Sequence, residues 1–267
     1  MKRQIPPLRL TRSPLVLVLA QVRILPVLKM DEFVPSLQES LRHQGLPKFS
    51  ESVSQGIVFG PDIKTRTERR WLFSSRDATE TAVVAESFIS LMTSRYELFE
   101  AFIERLRLVL ETVGVAAQPG GAERLGLRYV DLIRPAAGES LGEYLDGGLL
   151  GLRSERLGVQ RQTFRFESVS STPVGQLRLR LWQTSDGTVL PPDLPPGDVR
   201  LSLEAPAGET VTLLDIDSLT TKEQDFQPAS LCDEMWRLHE YADRAFQAAV
   251  TPIALERWGA VDWPPEA

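Results

Sequence analysis

Pro14-Leu15-Val16-Leu17-Val18-Leu19-Ala20-Gln21-Val22-Arg23-Ile24-Leu25-Pro26 is the stretch that decides the fold class. It is rich in Leu, Val and Ile, closed at both ends by proline, and too short to cross a bilayer, which takes about 20 apolar residues. A run of this kind reads as a strand buried on both faces. A second stretch answers it: Arg124-Leu125-Gly126-Leu127-Arg128-Tyr129-Val130-Asp131-Leu132-Ile133, closed by Pro135. Working outward from each gives one order of elements spelled twice. Residues 14–112 read strand, helix, three strands, long helix, and residues 124–250 read the same order again.

The local signals behind that order are these. Phe33, Leu37 and Leu41 put one apolar stripe on a helix, with Asp31 as cap and Gly45 as stop. Strands are expected near 52–59, 67–74 and 81–93, the last with Val83, Ala85, Ser87, Ile89 and Leu91 on one face. A helix over 96–113 carries Leu98, Phe102, Leu106, Val109 and Val113 and ends at Gly114. In the second pass Ser140 and Glu143 form a capping box. Strands follow near 160–168, 175–182, 198–203 and 209–217. The closing helix begins at Ser230 and ends at Thr251-Pro252. Residues 184–198, with Asp186-Gly187 and four prolines, read as a surface excursion.

The fold class is therefore α+β: two related halves, 13–118 and 122–262, each laying helices on one face of a mainly antiparallel sheet, in one compact body with a groove between the halves. Residues 1–12 are expected to be a disordered basic leader. Residues 1–30 carry Lys2, Arg3, Arg9, Arg12, Arg23 and Lys29 and no acid, within a chain of net charge −6. That overall charge weighs against nucleic acid as the main partner. The single cysteine, Cys232, precludes an intrachain disulfide and fits a reducing, cytoplasmic setting. No membrane partner is expected.

The pieces Ala20-Gln21-Val22-Arg23-Ile24, Phe88-Ile89-Ser90-Leu91-Met92-Thr93-Ser94-Arg95-Tyr96-Glu97-Leu98-Phe99, Leu125 to Ile133, and Leu238-His239, Phe246, Thr251 and Trp258-Gly259 resemble a sporadically distributed bacterial family of uncharacterised proteins of about 250–270 residues. The resemblance spans about residues 13–262. It implies a bacterial or phage source and a mobile accessory role, and it carries over no site residue.

Candidate chemistry is sparse. Two histidines, His43 and His239, and one cysteine cannot supply a Cys/His zinc site, and no metal or cofactor is expected. Phosphate loops and G-x-S-x-G are absent. Asp215 and Asp217 stand two apart on a strand and so face one side, where they could act as acid and base with His239, or hold a hard cation. Asp131 is a third candidate. His239 shares a helical face with Cys232 and Trp236. Arg165, Arg178, Arg180, Trp182 and Arg200 form a basic and aromatic face suited to anions or nucleic acid, unless they meet Glu167, Glu204 and Asp193 in ion pairs.

With no recognisable catalytic constellation, the leading expectation is a non-enzymatic binding or protein-interaction module of a bacterial accessory system (defence, toxin-antitoxin or biosynthetic), whose partner is another protein or a second copy. A carboxylate-dependent enzyme or small-molecule binder using Asp215, Asp217 and His239 is the alternative. Anion or nucleic-acid binding through the arginine face is the third.

Overall fold

The computed structural model describes residues 8–58, 64–151, 163–185, 187, 190, 191, 193, 194, 199–201 and 208–261. The chain is α+β. Its strands are β1 (Arg9–Leu10), β2 (Leu15–Ile24), β3 (Lys48–Val58), β4 (Lys64–Ser74), β5 (Glu80–Ala85), β6 (Phe88–Thr93), β7 (Ala122–Ile133), β8 (Phe164–Thr172), β9 (Gly175–Thr184), β10 (Val211–Thr220) and β11 (Ala260–Val261). Its helices are α1 (Met30–His43), α2 (Phe99–Ala117), α3 (Pro228–Ala249) and α4 (Pro252–Arg257).

Nine strands make one antiparallel sheet in the order β3-β4-β5-β6-β2-β7-β10-β9-β8. The two opening stretches are its centre. β2 pairs with β7 from Leu15–Asp131 to Ile24–Ala122, with register shifts at both ends. Central position explains their composition, since neighbours on both sides and packing on both faces leave no solvent edge. Moving outward from the centre, each half then places its last strand, its middle strands and its outer strand in like order. The likeness is one of strand order. Among the described residues the halves differ in strand number, and where the first half has α1 the second has two short 3₁₀ turns, Leu141–Glu143 and Gly147–Leu149.

Side-chain alternation assigns the faces. Val18, Ala20, Val22, Leu125, Leu127, Ile89, Leu91 and Phe73 meet Leu37 and Leu41 of α1, Phe102, Leu106 and Leu110 of α2, and Met235 and Leu238 of α3 in one cluster. Further along the same face, Ile133, Leu181, Leu214 and Ile216 pack with Ala242, Ala245 and Ala249 of α3 and with Leu255 of α4. Leu17, Leu72, Val83, Val130, Leu132 and Leu213 point the other way and are covered by Leu194 and Val199. Leu194 of the proline-rich excursion is thus buried against the face opposite α1, α2 and α3.

Several expectations need correction. The 81–93 strand is two strands, because Glu86–Ser87 reverses the chain and pairs Val84 with Ile89. Val83 consequently lies opposite in facing to Ile89 and Leu91. Gly114 does not end α2. A Cβ there would sit 3.3 Å from the Phe226 ring, so glycine serves close packing, and the helix runs on to a left-handed Gln118 (φ 45°). α3 opens at Pro228 after Gln227, not at Ser230, and α1 opens at Met30 after Lys29, not at Asp31. Residues 199–201 form no strand. The expected capping box is present, Ser140 N donating to Glu143 Oε2 at 2.6 Å, but it opens a single 3₁₀ turn. Residues 8–12 are ordered: β1 pairs with β11, and Thr11 N and Arg12 N donate to the carbonyls of Gly259 and Trp258. Residues 1–7 and the leader charges they carry lie outside the described residues.

Candidate functional site

The two faces of the sheet where β2, β7 and β10 meet carry two different polar systems, and both lie where the halves join. On the face opposite α1, α2 and α3, Arg128 and Asp217 are directly opposed on β7 and β10, and Asp215 lies two residues along. Arg128 Nε donates to Asp215 Oδ1 at 2.7 Å and its Nη2 to Oδ2 at 2.9 Å. Arg180, opposite Asp215 on β9, donates Nε to the same Oδ2 at 2.7 Å. Asp193 of the excursion closes the group, accepting from Arg128 Nη2 at 2.9 Å and Arg180 Nη2 at 3.2 Å. Two guanidinium groups meet two carboxylates, so the quartet is neutral. Burial alone would raise the Asp193 pKa, but Arg128 and Arg180 together hold it at about 2. Burial works against the Arg128 charge, yet its bonds to Asp215 and Asp193 keep its pKa raised.

That arrangement answers the arginine-face expectation. Arg180 is buried, spent on Asp215 and Asp193, and stacks its guanidinium over Trp182 at 4.8 Å. Arg178 pairs with Glu167 at 3.4 Å, and Arg165 lies opposite Trp182. Arg200 is not on a strand and is held by backbone, its N–H donating to the Ala78 carbonyl at 2.7 Å. Expectation and structure meet at Glu167 and Asp193; Glu204 lies outside the described residues. A hollow of about 560 Å³ remains beside the quartet, with Arg70, Arg124, Arg178 and Asp217 on its wall. Burial raises the Asp217 pKa.

The helical face holds the other system. A cavity of about 500 Å³ lies between β7 and β10 below, the start of α2 on one side, α3 on the other, and β1 with β11 at the rim. Leu15, Phe99, Ile216, Ala242 and Phe246 make its apolar wall. Alternation on β7 turns Tyr129 and Asp131 into it, and helical spacing on α3 turns His239, Ala242 and Asp243 into it. Tyr129 Oη and His239 Nδ1 are hydrogen-bonded at 2.9 Å. The imidazole stacks on Phe99 at 4.0 Å between ring centres, and Tyr96 meets Tyr129 edge-on at 5.9 Å. Burial, and next the neighbouring Tyr96, push the Tyr129 hydroxyl pKa well up, so it stays protonated.

Asp131 is the unusual member. It is 2% exposed, its Oδ2 has no hydrogen-bond partner among the described residues, and it lines the cavity. Burial, and next the Asp215 charge across the sheet, raise its pKa to about 8. A carboxyl of this kind is neutral at pH 7 and is left with an unmet polar atom, which costs on the order of 1–3 kcal/mol.

Asp215 and Asp217 therefore do not converge with His239; the sheet lies between them. The strand that holds Arg128 toward one face holds Asp131 toward the other. Cys232 keeps its place on α3 with Trp236 and His239, but its thiol is buried, pairs with Arg107 and is pushed up to about 11. His43 is exposed and sits 3.0 Å from Glu39. Tyr96, Tyr129, Asp243 and the β1 rim escaped the sequence reading. The signal for Tyr129 was its two-residue spacing from Asp131, and for Asp243 its four-residue spacing from His239. No group of three or more His, Cys, Asp or Glu side chains placed to hold a metal ion occurs among the described residues. No described helix is long and apolar enough to cross a membrane. Neither a family model nor a curated protein matches the chain.

Proposed function

We propose that this chain is a non-enzymatic binding module whose ligand is a small organic molecule held in the helical-face cavity. The observation that carries the reading is Asp131: a buried carboxyl, one oxygen of which has no partner among the described residues, lining a cavity of about 500 Å³ with both apolar and polar walls. Cavities of this size, apolar with a few converging polar groups, are what small ligands occupy. The strain of keeping such a carboxyl dry has to be offset elsewhere in the fold, which points to a use for it. The protein-partner form of the reading has less behind it. The exposed large apolar side chains (Leu28, Phe49, Val53, Val115, Val169 and Ile253 among them) are distributed over several elements, with only Phe49 and Val53 of these six sharing one, β3. The resemblance to the bacterial family supports placing the module in an accessory system, and the single buried cysteine fits the cytoplasm.

The test is a fragment screen by ligand-observed NMR on the full chain and on Ser13→Trp, which fills the rim of the cavity from an exposed position. Fragments competing for one site and lost in the variant support the reading. An absence of hits at millimolar concentration, or hits untouched by the variant, removes it.

One observation favours a second reading. A carboxyl poised near pH 8, with the Tyr129–His239 pair in the same cavity, suits general acid–base catalysis. A turnover whose pH profile loses one limb in Asp131→Asn would establish it over simple binding.

A further inference from the structure

We propose that the cavity is selective for a small organic amine, taken as its ammonium form, with the Asp131 carboxylate as its buried counter-ion and the rings around it as the wall for the organic body. This deepens, and rests on, the small-molecule reading above. The first support is charge. The groups facing the cavity are Arg9 from β1, Glu97 and Glu100 at the start of α2, Asp131 from β7, and His239 and Asp243 from α3, with the hydroxyls of Tyr96 and Tyr129. Four carboxyl groups stand against one arginine among the described lining residues. An anionic ligand would meet repulsion from most directions, and a cation would not.

The second support is position: the Asp131 carboxyl lines the cavity, and an ammonium group supplies up to three donors to a carboxylate there. The third is the wall. Tyr96, Tyr129 and Phe99 line the same cavity as the carboxyl, and aromatic faces attract ammonium groups within about 6 Å. A neutral acceptor would satisfy a protonated Asp131 but would gain nothing from Glu97, Glu100 and Asp243.

Proton release follows. Asp131 is protonated in the empty cavity at pH 7 and must ionise to hold an ammonium group, so binding expels its proton. Affinity should then rise about tenfold per pH unit from pH 6 toward pH 8 and level off above it. Histidine side chains ordinarily titrate within this range and His239 faces the same cavity, so the dependence has to be assigned by removing Asp131.

The experiment uses the full chain and three matched ligand sets sharing one hydrocarbon body each: phenethylamine and tryptamine, 2-phenylethanol and tryptophol, 3-phenylpropanoate and indole-3-propanoate. Dissociation constants are measured by calorimetry at pH 6, 7 and 8 in two buffers of different ionisation enthalpy, on the native chain, Asp131→Asn, and the cavity-blocked variants Ser13→Trp and Ala242→Leu. The amines should bind about tenfold or more tighter than the alcohols at pH 8, with the acids weakest. Close to one proton should be released per amine at pH 7, and Asp131→Asn should lose both the preference and the proton. If alcohols or acids bind as well as amines, and the blocked variants abolish that binding, the cavity is a small-molecule site and the amine assignment falls. If no set binds, or binding ignores the blocked variants, the assignment falls together with the cavity reading.

Discussion

Replacing Asp131 by asparagine should stabilise this protein at neutral pH, an unusual result for a polar residue in the centre of a sheet. Asp131 in the fold binds a proton up to about pH 8, whereas in the unfolded chain it releases it near pH 4. Between those values unfolding releases a proton, so the native state loses stability as pH rises, by about 1.4 kcal/mol per unit. Below pH 4 both states are protonated and the residue is without effect. Above pH 8 both are ionised and the loss stops growing. From pH 4 to 7 the window is about three units, which amounts to a penalty of roughly 3–4 kcal/mol at pH 7. That is a large share of the 5–15 kcal/mol typical of folded proteins. The asparagine side chain has nearly the same shape and no charge to desolvate. Urea titrations of both proteins at half-unit steps from pH 4 to 8.5 should therefore give curves that coincide near pH 4 and separate steadily to about 3–4 kcal/mol at pH 7. Other titrating groups cancel in the difference. Curves that stay parallel across the range, or a variant less stable at every pH, would refute the reasoning.

The quartet behaves in the opposite sense. Asp215→Ala or Arg180→Ala leaves a buried charge uncompensated and should cost about 3–5 kcal/mol in urea unfolding, whereas Asp193→Asn, at a half-exposed position, should cost about 1 kcal/mol. Gly175→Ala should lower the melting temperature sharply, because φ is 151° and an added Cβ would run into the Leu219 carbonyl. Cys232, buried and with its thiol pushed up to about 11, should react with a thiol reagent at pH 8 at least about a hundredfold more slowly than in urea-unfolded chain. Equal rates would show that α3 opens readily.

The architecture was legible wherever periodicity and punctuation agreed. The apolar runs at Leu15–Ile24 and Leu125–Ile133 are central because their composition tolerates no open face, and Leu37, Leu41, Phe102, Leu106 and Leu238 reach the core their spacing predicts. What escaped depended on tertiary partners. Gly114 reads as a helix stop until Phe226 is seen against it. The hairpin between Ala85 and Phe88 hides in a run whose alternation continues through the turn.

The site was half legible for the same reason. Asp215 and Asp217 do share a face, as their spacing requires, but a strand pair cannot say which face a helix on another element will cover. His239 landed on the far side, and Asp131, three residues from Arg128 and so turned oppositely, landed beside it. The arginines were visible as a row with Asp193 among the acids expected to meet them, but that Asp215 and Arg128 join the same group depends on how β7, β9 and β10 pair, which spacing along one strand does not give.

The most direct test is a site-resolved titration of the Asp131 carboxyl carbon by NMR in the full chain, free and saturated with phenethylamine. A midpoint near 8 in the free protein, falling by at least about two units with the amine bound, is the predicted result. A free midpoint near 4, or one that the amine leaves unchanged, would contradict the account of the cavity as a site built around a buried carboxyl waiting for a cation.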